Sequence, residues 1–290
     1  MSTENMDHIG KVSKLSHSEI VNTEKEILAN FWEFCQNNDL PMWLAYGTLI
    51  GAIRHQDMIP WDDDIDVVML ADDYKRMLAV LKETDGYISE HIRIVSPDID
   101  ANCPVTWAKV IDVRTVVDEE ILVGQPQPEI HGLWVDIFPL YGVHQTSGIQ
   151  KFAVAVFDVL YLLMRIGSWK RIPVSSGKGK LIQKVLTPLA RIVSYQRSGK
   201  LAAWWMRKMF PATAKSNFVF SDSQSYLHFK RSLFERTQLG TFGDREYPIP
   251  AEYDELLTAG YGDYMTIPPE SERVAHTMQA YRIVETKADE

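Results

Sequence analysis

At 290 residues with 46% hydrophobic content, the chain has ample apolar material for a packed core in one large domain or two small ones. The two cysteines, Cys35 and Cys103, lie far apart, which excludes a disulfide framework and metal-type cysteine spacing and fits a reducing compartment. The net charge of −9 hides an asymmetry: residues 149–212 carry 12 Lys and Arg against one acid, Asp158, so that stretch is +11 and the remainder −20. A nucleic-acid partner is therefore excluded, because most of the molecule would repel a polyanion.

The first 18 residues are polar and lack an apolar signal core, so they read as a flexible lead-in rather than a secretion signal or an anchor. Ser18 is the expected N-cap of a helix over 19–37, in which Ile20, Ile27, Phe31 and Phe34 recur at helical spacing. Asn37, Asn38 and Pro41 end it.

Residues 43–69, WLAYGTLIGAIRHQDMIPWDDDIDVVM, organise the rest. A short apolar strand runs into Gly47 and Thr48, and a helix over 49–54 follows; free backbone N–H groups at such a helix start suit a phosphate. Then Asp62, Asp63, Asp64 and Asp66 precede an apolar run over 67–70. So many acids repel one another unless a counter-charge is present. On a strand Asp64 and Asp66 point the same way, and two carboxylates on one face form a hard-oxygen site for Mg2+ or Mn2+. The bland alternative is a solvated acidic turn, but Ile59, Pro60, Trp61 and Ile65 frame the acids with apolar surface that such a turn does not need. A calcium loop is rejected, because Val67 stands where that loop requires Gly and Asp73 where it requires Glu.

Arg54 either contacts a donor phosphate or complements the helix C-terminus, and His55 reads as structural. Residues 74–81 form an amphipathic helix, and 91–117 alternate like strands. Within that region Lys109, a lone cation in WAKVIDV, faces a phosphate or snorkels from an outer strand; Asp112 is a weaker metal candidate. In LWVDIFP, Asp136 is a single carboxylate inside an apolar strand, which is costly unless it is paired or metal-bound. It is the expected third metal ligand, with Asp112 as the substitute.

Residues 152–169, 177–195 and 199–210 read as helices, the first too charged for a membrane span of ~20 apolar residues. Trp169, Trp204 and Trp205 among Lys and Arg suit either a membrane interface or an ordinary helical subdomain with a solvated basic face. A short helix over 252–257 and a loop through Pro268 and Pro269 follow; Arg273 and His276 either share a helical face near the active site or serve as structural caps.

The stretch GTLIGAIRHQDMIPWDDDID closely resembles the LicD/fukutin-type phosphotransferases, and KVIDVRT, GLWVDIFPLYG and YGDYMTIPPESERVAH are similar to that family's later blocks in the same order. The resemblance covers roughly 20–145 and 235–276. It implies an α/β (α+β) fold: a nucleotidyltransferase-like mixed β-sheet core with flanking helices, spanning 19–290 as one domain with 149–212 as a basic helical insertion.

The resemblance further implies transfer of a phospho-alcohol, phosphocholine from CDP-choline above all, to a glycan hydroxyl, as in modification of lipopolysaccharide or teichoic acid. Asp64, Asp66 and Asp136 would be catalytic and hold Mg2+ (or Mn2+), with Gly47, Thr48, Arg54, Lys109 and His276 on substrate or phosphate. A choline head calls for an aromatic cage, for which Trp61, Trp107, Trp134 and Tyr141 are candidates. A cytoplasmic protein with peripheral contact at the inner membrane face through 149–212 is the expected setting. The alternatives are a metal-dependent glycosyltransferase using a nucleotide sugar and a non-catalytic binding protein on the same fold.

Overall fold

The computed structural model describes residues 9–62, 64–118, 127–143, 148–169, 187–188, 190–211, 216–221, 228–273 and 278–284. A first strand, β1 (Val12–Lys14), leads to helix α1 (His17–Asn37), whose N-cap is Ser16 rather than Ser18. The Ser16 side chain accepts from the Glu19 backbone N–H, and the Glu19 carboxylate accepts in turn from the Ser16 N–H, forming a reciprocal capping box. Glu19 sits three residues beyond Ser16, so the earlier serine satisfies two helix-end donors where Ser18 would satisfy one. Ile20, Ile27, Leu28, Phe31 and Cys35 form the buried stripe of α1.

Strand β2 (Trp43–Leu44) runs into helix α2 (Tyr46–Arg54), then β3 (Asp66–Leu70) and helix α3 (Ala71–Val80). Next come β4 (Ile92–Val95), β5 (Ala108–Asp112), β6 (Thr115–Val117), the short helix α4 (Pro128–His131) and the long strand β7 (Leu133–Val143). The basic region supplies helices α5 (Gly148–Ser168) and α6 (Tyr195–Met209); most of the helix expected over 177–195 lies outside the described residues. The chain closes with β8 (Phe218–Ser221), β9 (Phe229–Lys230), β10 (Thr237–Phe242), β11 (Arg245–Pro250), helix α7 (Tyr253–Tyr261) and β12 (Ala280–Ile283).

The main sheet is mixed, in the order β2-β3-β7-β5-β4, with β8 and β9 continuing from the far half of β7. Among the described strands of this sheet only β3 and β7 pair in parallel; the other neighbours are antiparallel. β7 is the centre of the fold: it pairs with three strands, and all but one of its eleven residues are buried. Apolar side chains of α1, α2 and α3 form the principal core with this sheet. Helices α5 and α6 build a separate core with Tyr141, Val143, Phe210 and Phe220. Their backbones come close because Gly199 lies against the Met164 side chain, and the Trp205 indole donates to the Ala153 carbonyl at 2.9 Å. This helical pair therefore closes over the far end of β7. Arg207, donating to Asp98 at 2.8 Å, ties it to the loop that leads toward Trp107.

Candidate active site

Strands β3, β5 and β7 bring the predicted carboxylates together. Asp66 stands opposite Asp136 in the parallel β3–β7 ladder, and Lys109 stands opposite Asp136 in the antiparallel β5–β7 ladder. Cross-strand partners share a face, so the three side chains form a row on one side of the sheet. Lys109 is thus a buried residue of the site and does not snorkel from an outer strand. Its ammonium lies 3.7 Å from Asp136 Oδ1 and 3.5 Å from the centroid of the Trp134 ring.

Asp136 is held from two further directions. The Trp107 indole N–H donates to Oδ1 at 2.6 Å, and the Trp134 indole N–H donates to Oδ2 at 3.0 Å. Each oxygen keeps a lone pair after these bonds. These tryptophans, candidates for a choline cage on the sequence alone, are donors to Asp136 instead. The signal was present for Trp134, which lies two residues before Asp136 and so on the same strand face.

The charge balance is strongly negative. Burial, then the carboxylates of Asp64, Asp136 and Asp62, push Asp66 well above the ordinary carboxylate range, and Lys109 pulls the other way. Asp136 is raised by burial, opposed by Lys109 and the Trp107 hydrogen bond. One ammonium does not neutralise this many acids. Among the described residues, no three Asp, Glu, His or Cys side chains form a ready-made metal-binding group. The in-register pair of Asp66 and Asp136 nevertheless fits Mg2+, which is usually held by one or two carboxylates together with substrate phosphates rather than by an all-protein cage. Asp64 precedes β3 in a loop, and its charge acts on both members of the pair.

The start of α2 abuts the acids. A Cβ on Gly47 would lie 2.6 Å from Asp62 Oδ2, so glycine lets the first helical turn sit against that loop without displacing the Asp62 carboxylate. Thr48 is buried, and its hydroxyl accepts from the Asp66 backbone N–H at 2.8 Å, which fixes where β3 begins. Tyr46 adopts a left-handed φ of 47°, a strained conformation for a bulky residue at the mouth of a site.

The remaining predicted residues divide. Arg54 donates to the carbonyls of Tyr264 at 2.6 Å and Thr266 at 3.3 Å, so it fastens the C-terminal loop. His55 packs edge-on to Trp61, and Arg273 covers the same indole at 4.4 Å from its centroid, so these side chains brace the acidic loop. His276 lies outside the described residues. Asp112 is not at the site: it is buried at the other end of β5 and engages Arg114 at 2.7 Å. Tyr141 packs against Phe220 in the helical core, away from the carboxylates.

Residues 39–153 match the family model described as LicD/FKTN/FKRP, nucleotidyltransferase domain. Over 263 residues the chain is 29% identical to the lipopolysaccharide cholinephosphotransferase LicD of Haemophilus influenzae, covering 87% of this chain and 92% of that protein. Residues 39–153 thus resemble a LicD-type nucleotidyltransferase domain. Two shorter similarities fall to uncharacterised rickettsial proteins. One, from Rickettsia typhi, is 33% identical over 72 residues (24% of this chain, 23% of that protein). The other, from Rickettsia prowazekii, is 31% identical over 70 residues (23% and 26%). The family-model match over 39–153 contains Gly47, Thr48, Asp64, Asp66, Lys109 and Asp136, whereas α6 falls wholly outside it.

Proposed function

We propose that this LicD-like enzyme transfers phosphocholine from CDP-choline to a hydroxyl of a cell-surface glycan or its lipid-linked precursor, with lipopolysaccharide as the acceptor class. The observation that carries the reading is the in-register Asp66–Asp136 pair in a chain similar over most of its length to a lipopolysaccharide cholinephosphotransferase. Mg2+, or Mn2+, held by Asp66 and Asp136 with Asp64 beside them, would neutralise charge on the diphosphate.

The protein's own groups do the rest. Trp107 and Trp134 hold Asp136 in a fixed orientation, and Lys109 offsets part of its charge. Thr48 anchors the backbone of Asp66, while the first turn of α2 presents N–H groups toward an anion. One carboxylate takes the proton of the attacking hydroxyl as CMP leaves. Residues 19–290 act as one domain, with 149–212 as an insertion whose α6 exposes Leu201, Trp204 and Lys208 toward anionic lipid. No helix among the described residues is long and apolar enough to cross a membrane.

A donor panel tests the reaction. CDP-choline, CDP-ethanolamine and a set of nucleotide sugars are each offered with Mg2+ and lipopolysaccharide, and the released nucleotide is identified. CMP from CDP-choline supports the proposal. A nucleoside diphosphate released from a sugar donor, with CDP-choline untouched, replaces it with glycosyl transfer.

A further inference from the structure

We infer that a cavity at the entry to α2, bounded by aromatic rings, receives the quaternary ammonium head of the donor. The inference rests on the phosphocholine reading and adds a site that neither the sequence nor the family match assigns. The cavity encloses about 380 Å³, counting the space at its open mouth, and its walls include Tyr46, Phe229, Phe234 and Tyr261 over a floor formed by Val68 and Leu140.

Position is the first argument. Side chains two apart on a strand share a face, so Val68 lies beside Asp66, while Phe138 and Leu140 continue the line from Asp136. Two residues of strand advance about 6.6 Å, so the cavity floor starts within reach of the two-carbon tether between a phosphate ester and its nitrogen. Phe138 bridges the interval: its ring lies 5.0 Å from that of Trp107, which holds Asp136, and 5.5 Å from that of Tyr46 in the cavity wall. The floor of the site therefore changes from carboxylate to aromatic over one step of the sheet.

Chemistry is the second argument. Among the described residues, no Asp, Glu, Lys, Arg or His lines the cavity, and the polar side-chain groups there are the two tyrosine hydroxyls. A primary ammonium moved there would give up hydrogen bonds to water with little in return. A trimethylammonium group has no N–H to satisfy, and it gains from the negative faces of aromatic rings. The same walls that accept choline thus disfavour ethanolamine, and the cavity is a specificity device as well as a binding site. The tryptophans expected to form a cage are committed elsewhere, Trp134 beneath Lys109 and Trp61 beneath Arg273.

The test uses the full chain with Mg2+ and compares CDP-choline with CDP-ethanolamine for the wild type, Phe229→Leu, Tyr261→Leu and Tyr261→Phe. Tyr261 is half exposed, and leucine keeps apolar volume at both positions, so folding is expected to survive. Each leucine variant should lose about tenfold in kcat/KM for CDP-choline, mainly through KM, with CDP-ethanolamine changed by less than about twofold. Tyr261→Phe should retain the wild-type preference because the ring face remains. Calorimetric titration of phosphocholine against phosphoethanolamine should show the same loss without turnover. Equal losses on both donors, or unchanged preference in both leucine variants of an enzyme that turns over CDP-choline, overturn the cavity assignment alone. A wild type that releases no CMP from CDP-choline overturns the phosphocholine reading and this inference with it.

Discussion

Replacing Lys109 by Met removes one charge from the site while keeping the unbranched stem. At the 3.7 Å separation of Lys109 Nζ and Asp136 Oδ1, two unit charges attract by about 4 kcal/mol at an effective dielectric of about 20. Removing one partner of a buried pair costs about 3–5 kcal/mol, because the other is left uncompensated. The lower end applies here, since the lysine regains its own cost of desolvation and the two indole donors still hold Asp136. A loss of about 3 kcal/mol at about 2 °C per kcal/mol lowers Tm by about 6 °C in a chain of this size.

The assay is thermal unfolding of purified protein in EDTA, followed by circular dichroism. Asp66→Asn should stabilise Lys109→Met more than it stabilises the wild type, because the repulsion it relieves is larger once the ammonium is gone. Mg2+ should likewise raise the Tm of Lys109→Met by more than that of the wild type. A Lys109→Met variant melting within about 1 °C of the wild type in EDTA, with Asp66→Asn giving equal effects in both backgrounds, would refute the idea that Lys109 neutralises the carboxylate pair.

Asp64→Asn and Asp66→Asn should each lower turnover by at least ~10²-fold while the protein stays folded, because each removes charge that holds or attracts the metal; near-normal turnover of both at saturating Mg2+ would remove them from the metal site. Gly47→Ala sets a methyl 2.6 Å from Asp62 Oδ2 and displaces that carboxylate, so CMP release should fall and recover in part when Asp62→Ala is added; no recovery would locate the clash elsewhere. The basic insertion should carry the protein to the top of a flotation gradient with anionic vesicles at low salt and release it at high salt, since exposed charges are screened over about 10 Å at 0.1 M; failure to float at low salt would leave α5 and α6 as scaffold.

The parts of this site that were legible in the sequence are those in which a residue is out of character with its neighbours. Asp136 inside LWVDIFP and the acids inside an apolar frame are costly where they stand, and cost is visible without coordinates. The register that sets Asp66 and Lys109 on either side of Asp136 was not legible, because it depends on which strands pair and in which direction. For the same reason Lys109 remained ambiguous between phosphate and solvent until its strand proved to lie next to β7. Arg54 meets carbonyls more than 200 residues away, and nothing local distinguishes that from a phosphate contact. The N-cap at Ser16 in place of Ser18 is legible locally, since Glu19 completes a capping box with the earlier serine. The cavity beside α2 draws its walls from residues spread between Leu44 and Tyr261, so no single stretch announces it.

If the Asp66–Asp136 pair drives phosphocholine transfer, a phosphorus NMR time course reads out its loss. Wild-type protein and Asp136→Asn are each followed with CDP-choline, Mg2+ and lipopolysaccharide lacking phosphocholine. The wild type should convert the diphosphate signal into CMP and a new phosphodiester in equal amounts, and Asp136→Asn should slow both by at least ~10²-fold while remaining folded. A diphosphate signal that persists with the wild type, or an Asp136→Asn protein that forms the phosphodiester at the wild-type rate, would contradict that role of the pair.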